Sequence, residues 1–461
     1  SILALIFSGA ILFTSCETEA TVDSAEVQKI VDAAVAAALQ NYPNTQVIAD
    51  AAAAAATQAV NAGLASLDIN GAIEAALSAA DALANPTVVR VGTGGVTYIS
   101  SNTTWTNDKV WLMDGKIVVQ NGATLTVEAG TIVKAAAGTG ANATVLIVAK
   151  GAKIEAIGTA EKPIIFTDAN DQIVYANGTT SPNRSVTDKG LWGSVIILGN
   201  GIVGAASGEA NIEGVVSGYE FTKYGGSNNA ENSGTLKYVS IRHTGTAVSP
   251  GNELQGLTMG GVGSGTVIEN IELIGSEDDG IEIFGGAVNV TNIVIANFDD
   301  DGIDLDQAYD GTISNAVVIM APGSDTVFEI DGTEEPNNAI VGEYTIKNVT
   351  AYGRSDAAKF DTFGNWKSDA TGFNENVLFV DFPASTTLGG IDSDTYDGAG
   401  TAPIEGKLNF KDFIVVTSDS KATVVGGQVD EASATWISVS TTRPSSKGAD
   451  ESVFGWTQFF N

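Results

Sequence analysis

Apolar and polar positions alternate in short runs along most of this chain, and the runs recur. "LKYVSI" (236–241), "IENIEL" (268–273), "VTNIVI" (290–295), "ISNAVVI" (313–319), "IKNVTA" (346–351) and "NENVLFV" (374–380) share one form. Five of them carry an asparagine at the same place: Asn270, Asn292, Asn315, Asn348 and Asn376, in steps of 22, 23, 33 and 28 residues. A period of two marks strands. A unit of twenty-odd residues built from short strands marks a solenoid. The short steps set the unit, and the longer ones carry loop insertions. Strands one coil apart lie about 4.8 Å from each other, so the asparagines are expected to stack in a ladder of amide hydrogen bonds. The fold class expected is all-β, a parallel β-helix of roughly 11 to 16 coils at that repeat length.

The same register places an acidic pair of phrases, "SEDDGIEIFGG" (276–286) and "FDDDGIDLDQAYDG" (298–311). With Ile281, Ile303 and Phe328 as equivalent inward residues, Ile283, Leu305 and Ile330 also point inward. Glu282, Asp304 and Glu329 then face out in one column, preceded by Thr258 and followed by Lys359. Asp278, Asp300 and Asp325 form a second column.

The first 85 residues read differently. "SILALIFSGAILFTSC" (1–16) is an apolar run of signal-peptide length, too short for a membrane span. It stops at Cys16, the single cysteine. Residues 24–85 are alanine-rich, with Val27, Ile30, Val31, Val35 and Leu39 in a helical stripe behind Ser24 as N-cap. "NYPN" (41–44) breaks this helix, and two more are expected over 45–66 and 70–84. They form either a spacer or an oligomerising bundle. The expected divisions are a signal peptide (1–15), an acidic linker (16–23), a helical stalk (24–85) and the β-helix domain (86–461).

Two resemblances follow from these residues. "FTSC" followed by "ETEA" resembles the lipobox and surface-export signal of Bacteroidota lipoproteins, with Phe13 where leucine is usual. This implies a lipid on Cys16, with an ordinary buried thiol as the other reading. The phrases at 116–138, 144–168 and 190–203, with "GLTMGGVGSGTVIENIELIGSEDDGIEIFGG" (256–286) and the closing "FGWTQFF", resemble right-handed parallel β-helix surface lipoproteins of that group. The resemblance covers nearly all of 95–461. It implies a right-handed β-helix at the cell surface, held to the outer membrane by a lipid anchor, and says little about activity. Solenoid ends need caps. The alanine-rich helices or "TYISSNTTW" (97–105) are expected at one end and "WTQFF" (456–460) at the other.

Composition narrows the function. An apolar fraction of 44% excludes a disordered polyanion. A net charge of −33 excludes nucleic acid as a partner and attracts cations. One cysteine and one histidine exclude Cys-rich zinc sites and internal disulfides. No phosphate loop, G-x-S-x-G elbow or H-E-x-x-H motif is present. Between Arg242 and Lys347 lie 19 acidic residues and no Lys or Arg. Neighbouring carboxylates at strand spacing repel by about 1 kcal/mol in water, and by about 3–4 kcal/mol at an effective dielectric of 20.

Three readings of the acidic columns follow: a solvated face; Ca²⁺ held by Asp278, Asp300, Asp325, Glu282, Asp304 and Glu329; or a glycan-processing site using Asp279, Asp300, Asp301 and Asp304. "DDDGID" resembles the aspartate motifs of polygalacturonases, but their Arg-x-Lys motif is absent and the single histidine, His243, reads as a turn residue. Trp192, Tyr219, Phe221, Tyr224, Phe363 and Trp366 are either glycan-stacking or core residues. The expected function is a non-catalytic surface lipoprotein presenting an acidic β-helix for adhesion, polysaccharide contact or self-association. The alternatives are a filament or surface-layer subunit and a carbohydrate-active hydrolase or lyase.

Overall fold

In the computed structural model the described residues are 86–461, apart from 216–217, 247–252, 334–339, 355–361, 397–403 and 461. The export segment, Cys16, the alanine-rich helices and Lys359 lie outside them. The chain divides into two compact units, 1–87 with 173–182 and 88–172 with 183–461. In the first, Tyr175–Asn177 forms a 3-10 turn. The second carries the strands described below.

This unit is a right-handed parallel β-helix. One sheet has nine strands, from Val96–Ile99 through Val145–Val148, Leu257–Gly260, Ile281–Phe284 and Ile303–Asp306 to Gly364–Lys367. A longer sheet runs twelve strands along its main path and ends at Ile437–Ser440. Inward positions stack in columns: Leu257, Ile281, Ile303 and Phe328 in one, which ends at Gly364, and Met259, Ile283, Leu305, Ile330 and Trp366 in the next. "TYISSNTTW" does not cap this core. It supplies Val96–Ile99 and Thr103–Trp105, strands of the two sheets themselves.

The long sheet changes its corner part-way. Lys153–Ile157 and Ile164–Asp168 are separate strands joined by residues 158–163, yet both pair with the single strand Gly234–Thr244. Tyr238 alone now does the work of that connector, at φ 51°. The next five coils put Asn270, Asn292, Asn315, Asn348 and Asn376 there, at φ 55–58°, and Asp412 closes the column at φ 56°. A one-residue corner needs the left-handed region, which asparagine enters more readily than most side-chain-bearing residues. Stacking adds a second reason. Asn292 Nδ2 donates to Asn270 Oδ1 at 3.1 Å, Asn315 Nδ2 to Asn292 Oδ1 at 2.7 Å, and Asn376 Nδ2 to Asn348 Oδ1 at 2.8 Å.

The C-terminal segment runs along this ladder instead of closing an end. Asp450 exchanges a pair of hydrogen bonds with the Asn315 amide (2.6 and 3.2 Å), and Gly448 with that of Asn376 (3.0 and 3.2 Å). Phe454 packs on Val294 and Val317, and Trp456 meets Tyr238 edge-on at 5.4 Å. The amide N–H of Phe459 reaches Glu272 Oε1 at 3.0 Å. "WTQFF" is therefore a flank strap. Near the last coils, Phe410 stacks on Trp436 at 4.6 Å beside Tyr396 and Phe413. The short helix Lys421–Val425, capped by Ser420, buries Val424 and Val425 there.

Candidate functional site

The nine-stranded sheet presents one continuous outward column: Tyr98, Val118, Ile147, Ile196, Thr258, Glu282, Asp304, Glu329 and Asn365. Its first half is apolar and its second half acidic. The member after Glu329 is Asn365, not Lys359. "KFD" repeats the out-in-out pattern of "EID", but Phe328 pairs with Gly364, so the coil takes its strand six residues later.

Tyr98 at one end is exposed and Glu329 and Asn365 at the other are half-buried, but from Val118 to Asp304 these outward residues are shut off from solvent. The insertion after Leu198 folds back over the sheet and lays Val203, Ile212, Val215, Phe221 and Tyr224 on Val118, Ile147, Ile196 and Leu198. "VLIV" (145–148) and "VIIL" (195–198) carry the sequence signal for this cover, being apolar at every position and not at every second one. The insertion also reaches the acidic half. Tyr224 Oη donates to Gln307 Oε1 at 3.1 Å, and Gln255 Nε2 donates to Glu213 Oε1 at 2.5 Å. Glu282 and Asp304 are left only 6% and 9% exposed.

A further column stands beside the first, at Gln255, Asp279, Asp301 and Thr326. Each carboxylate accepts from the next coil: Asp301 N–H to Asp279 Oδ1 at 2.9 Å and Thr326 N–H to Asp301 Oδ1 at 2.8 Å. Asp279 and Asp301 are 5% and 2% exposed. Asp278, Asp300 and Asp325 lie at the rim, where Asp278 is half-buried and the other two are exposed.

Burial, and then repulsion among the carboxyls, raises Asp279, Glu282 and Asp304 well above the ordinary carboxylate range. Burial first, then Asp300, pushes Asp278 up to about 7. Asp301 rises to about 9 through burial and its hydrogen bond to Glu329. Burial alone would raise Glu329 too, but hydrogen bonds from Asp301 and Lys367 outweigh it and hold this group low.

Two cations absent from the local sequence arrive from elsewhere. Lys189 pairs with Asp299, and Lys367 pairs with Glu329 and, at 3.2 Å, with Asp331. Donor oxygens of Asp278, Asp279 and Asp300 lie within 4.8 Å of one another, as do those of Asp279, Glu282 and Asp304. Neither group includes Asp325 or Glu329. The column of Glu282, Asp304 and Glu329 read from the sequence holds as strand pairing, while the close oxygen groupings run across the columns through Asp279.

His243 is buried at φ 63°, with Nδ1 2.7 Å from the carbonyl of Asp188. Burial, more than any charge, lowers its pKa, so the folded chain holds it neutral. A group charged near pH 6.5 only when unfolded contributes stability that is full above about 6.5 and falls as the pH drops. His243→Asn suits the left-handed backbone and removes this contribution. Between about pH 6.5 and 5 the wild-type chain is expected to lose stability relative to the variant, by about 1.4 kcal/mol per pH unit at most. Urea melts at the two pH values check this, and parallel curves would rule it out.

Most of the aromatic candidates are core residues. Trp192, Phe221, Tyr224, Phe363 and Trp366 are buried, and Tyr219 alone of the six is exposed.

Residues 97–460 match the family described as the pectate-lyase-like beta helix domain. The chain belongs to that family. No curated protein and no solved structure matched it. In this pectate-lyase-like β-helix, Asp279, Asp301 and Asp304 are enclosed, and only Asp300 of the four candidate catalytic carboxylates faces solvent. A cavity of about 180 Å³ lies elsewhere, lined by Tyr309, Asp331, Tyr344 and Asp369 among others, and none of the four borders it. The enclosed oxygens can accept hydrogen bonds, share protons or ligate a cation.

Proposed function

We propose that the chain is a non-catalytic scaffold, carried at the bacterial surface by a lipid on Cys16, whose β-helix serves adhesion or polysaccharide contact. The observation that supports it is the enclosure of the acidic groups. A glycosidase needs two carboxyls facing one glycosidic bond, and here three of the four candidates are enclosed. A lyase acting on an acidic polysaccharide needs a basic group to take a proton and to offset substrate charge. His243 is buried and neutral, while Lys189 and Lys367 are held in ion pairs.

The test is incubation of the purified chain with a panel of neutral and acidic polysaccharides, polygalacturonate included, with and without added Ca²⁺. The expected result is no new reducing ends and no ultraviolet absorbance from unsaturated products. Turnover of any polymer would replace this reading with the enzymatic one. Cys16→Ala is expected to move the chain from the membrane fraction to the soluble one, and an unchanged distribution would remove the anchor. Negative-stain images showing fibres would favour the filament alternative over a dispersed adhesin.

A further inference from the structure

The acidic half of the outward column poses a problem that the scaffold reading leaves untouched. Glu282 Oε2 and Asp304 Oδ1 are enclosed and have no hydrogen-bond partner. Both side chains are more than nine-tenths buried. An enclosed polar atom without a partner bears the full cost of leaving water, and folded proteins rarely keep one without a ligand, ion or water to satisfy it. A shared proton, of the kind that links Asp301 to Glu329, satisfies one pair of oxygens at a time and brings no cation to the cluster. Lys189 and Lys367 are already engaged with Asp299, Glu329 and Asp331. The principal charged neighbours of Glu282 are Asp304, Asp279, Glu213 and Asp306, all carboxyls.

The geometry shows what would satisfy them. Two sets of three carboxylate oxygens, each gathered within 4.8 Å, share the side chain of Asp279. The donor set is oxygen only, with no sulfur and no imidazole, which suits a hard cation. Calcium fits better than magnesium, because it takes six to eight oxygens in a flexible shell and accepts bidentate carboxylates, while magnesium demands a near-ideal octahedron. Five carboxylates carry five negative charges, and two divalent ions return four of them.

We propose that Asp278, Asp279, Asp300, Glu282 and Asp304 form a paired calcium site, with Asp279 bridging an outer and an inner ion. The outer position opens to solvent past Asp300, which is exposed. The inner one lies against the insertion, through Glu213. Access therefore differs: a chelator strips the outer ion quickly and the inner ion only as the insertion opens. The paired site is a structural element of the sheet's outer face. It binds the insertion to the coils beneath and is independent of whether the chain turns over a glycan.

Its test is a count of ions. The full chain, stripped with chelator and dialysed, is titrated with CaCl₂ by calorimetry, and bound metal is measured by elemental analysis. Two Ca²⁺ per chain are expected, with a higher melting temperature in Ca²⁺ than in chelator. Asp300→Asn is expected to keep one ion, Glu282→Gln one ion and Asp279→Asn none, while Asp325→Asn keeps both. If Asp279→Asn fails to fold by circular dichroism, the two single-ion variants decide. No stoichiometric binding by the stripped wild-type chain in millimolar Ca²⁺ overturns the proposal. So does an unchanged ion count in both Asp300→Asn and Glu282→Gln. An empty chain that also leaves polysaccharides intact would sink the calcium site alone, and a calcium-loaded chain that cleaves them would sink the scaffold reading alone.

Discussion

Glu272→Ala is expected to destabilise the folded chain by about 3–5 kcal/mol, the usual cost of orphaning one member of a buried ion pair. Glu272 and Arg242 are both fully buried. Glu272 Oε2 accepts from Ser240 Oγ at 2.6 Å and from Arg242 Nη2 at 3.3 Å, while Oε1 takes the N–H of Phe459 at 3.0 Å. Alanine takes from the buried guanidinium the nearer of the two carboxylates that favour its charge, leaving Asp171, and removes the anchor of the C-terminal strap. The comparison that isolates the charge is Arg242→Met combined with Glu272→Leu. Matched apolar volume in place of such a pair is often neutral or stabilising, so the double variant should recover most of the loss. Urea denaturation curves read both effects. A single variant within about 1 kcal/mol of wild type would mean that the pair contributes no more than a surface bridge does.

Phe454→Ala should cost about as much at its own site, about 3–5 kcal/mol for a fully buried ring, but the loss is expected to appear as local opening. Phe454 is 0% exposed and meets Val294 and Val317 on the outside of the long sheet, apart from the main core. The strap it belongs to is also held by hydrogen-bond pairs to the Asn315 and Asn376 amides, by Ala449 N–H to Thr350 Oγ1, by Glu451 to Tyr352, by the Lys447–Asp412 pair, by Trp456 on Tyr238 and by the contact at Glu272. Removing the ring takes the buried apolar centre from a segment otherwise held mainly by polar contacts at the surface, and such segments open without the rest of the fold. Limited proteolysis should then clip the variant beyond residue 440 and leave the β-helix intact. Resistance equal to wild type would show that the polar contacts hold the strap without the ring.

Much of the coil geometry was legible because one face of each strand is buried and a one-residue slip would expose it. That is why Glu282, Asp304 and Glu329 could be placed over one another from their apolar neighbours alone. The method failed where the flanking residues no longer discriminated. "KFD" offers the same out-in-out pattern as the true strand, and only the long connection after Tyr352 moves the pairing on to Asn365. The left-handed corner was visible as five asparagines, but Tyr238 and Asp412 at its ends were not, since neither residue announces a positive φ. The site itself was half legible. Its carboxylates were named, yet Asp279 was separated from Glu282 and Asp304, and Asp325 and Glu329 were added to them. Glu213, the side chain that meets Gln255 and Glu282 from across the sheet, belongs to an insertion outside the repeat, and the lysine partners come from other coils. Nothing in a local window carries such distant contacts. Neither does the path of the C-terminal strap, whose aromatic residues would serve an end cap equally well.

The one-residue corner also sets where this molecule can change. From Gly234–Thr244 to Leu408–Val416, each long strand bends at a single left-handed position, so adding or losing a residue there would turn every following side chain to the wrong face. Coil length instead varies at the other corners, as in residues 332–343 and 353–363 between strands. A lineage carrying this fold can therefore gain, lose or rewrite loops along those edges while its asparagine edge keeps a fixed length, giving one molecule an unchanging spine and a freely diversifying outer rim.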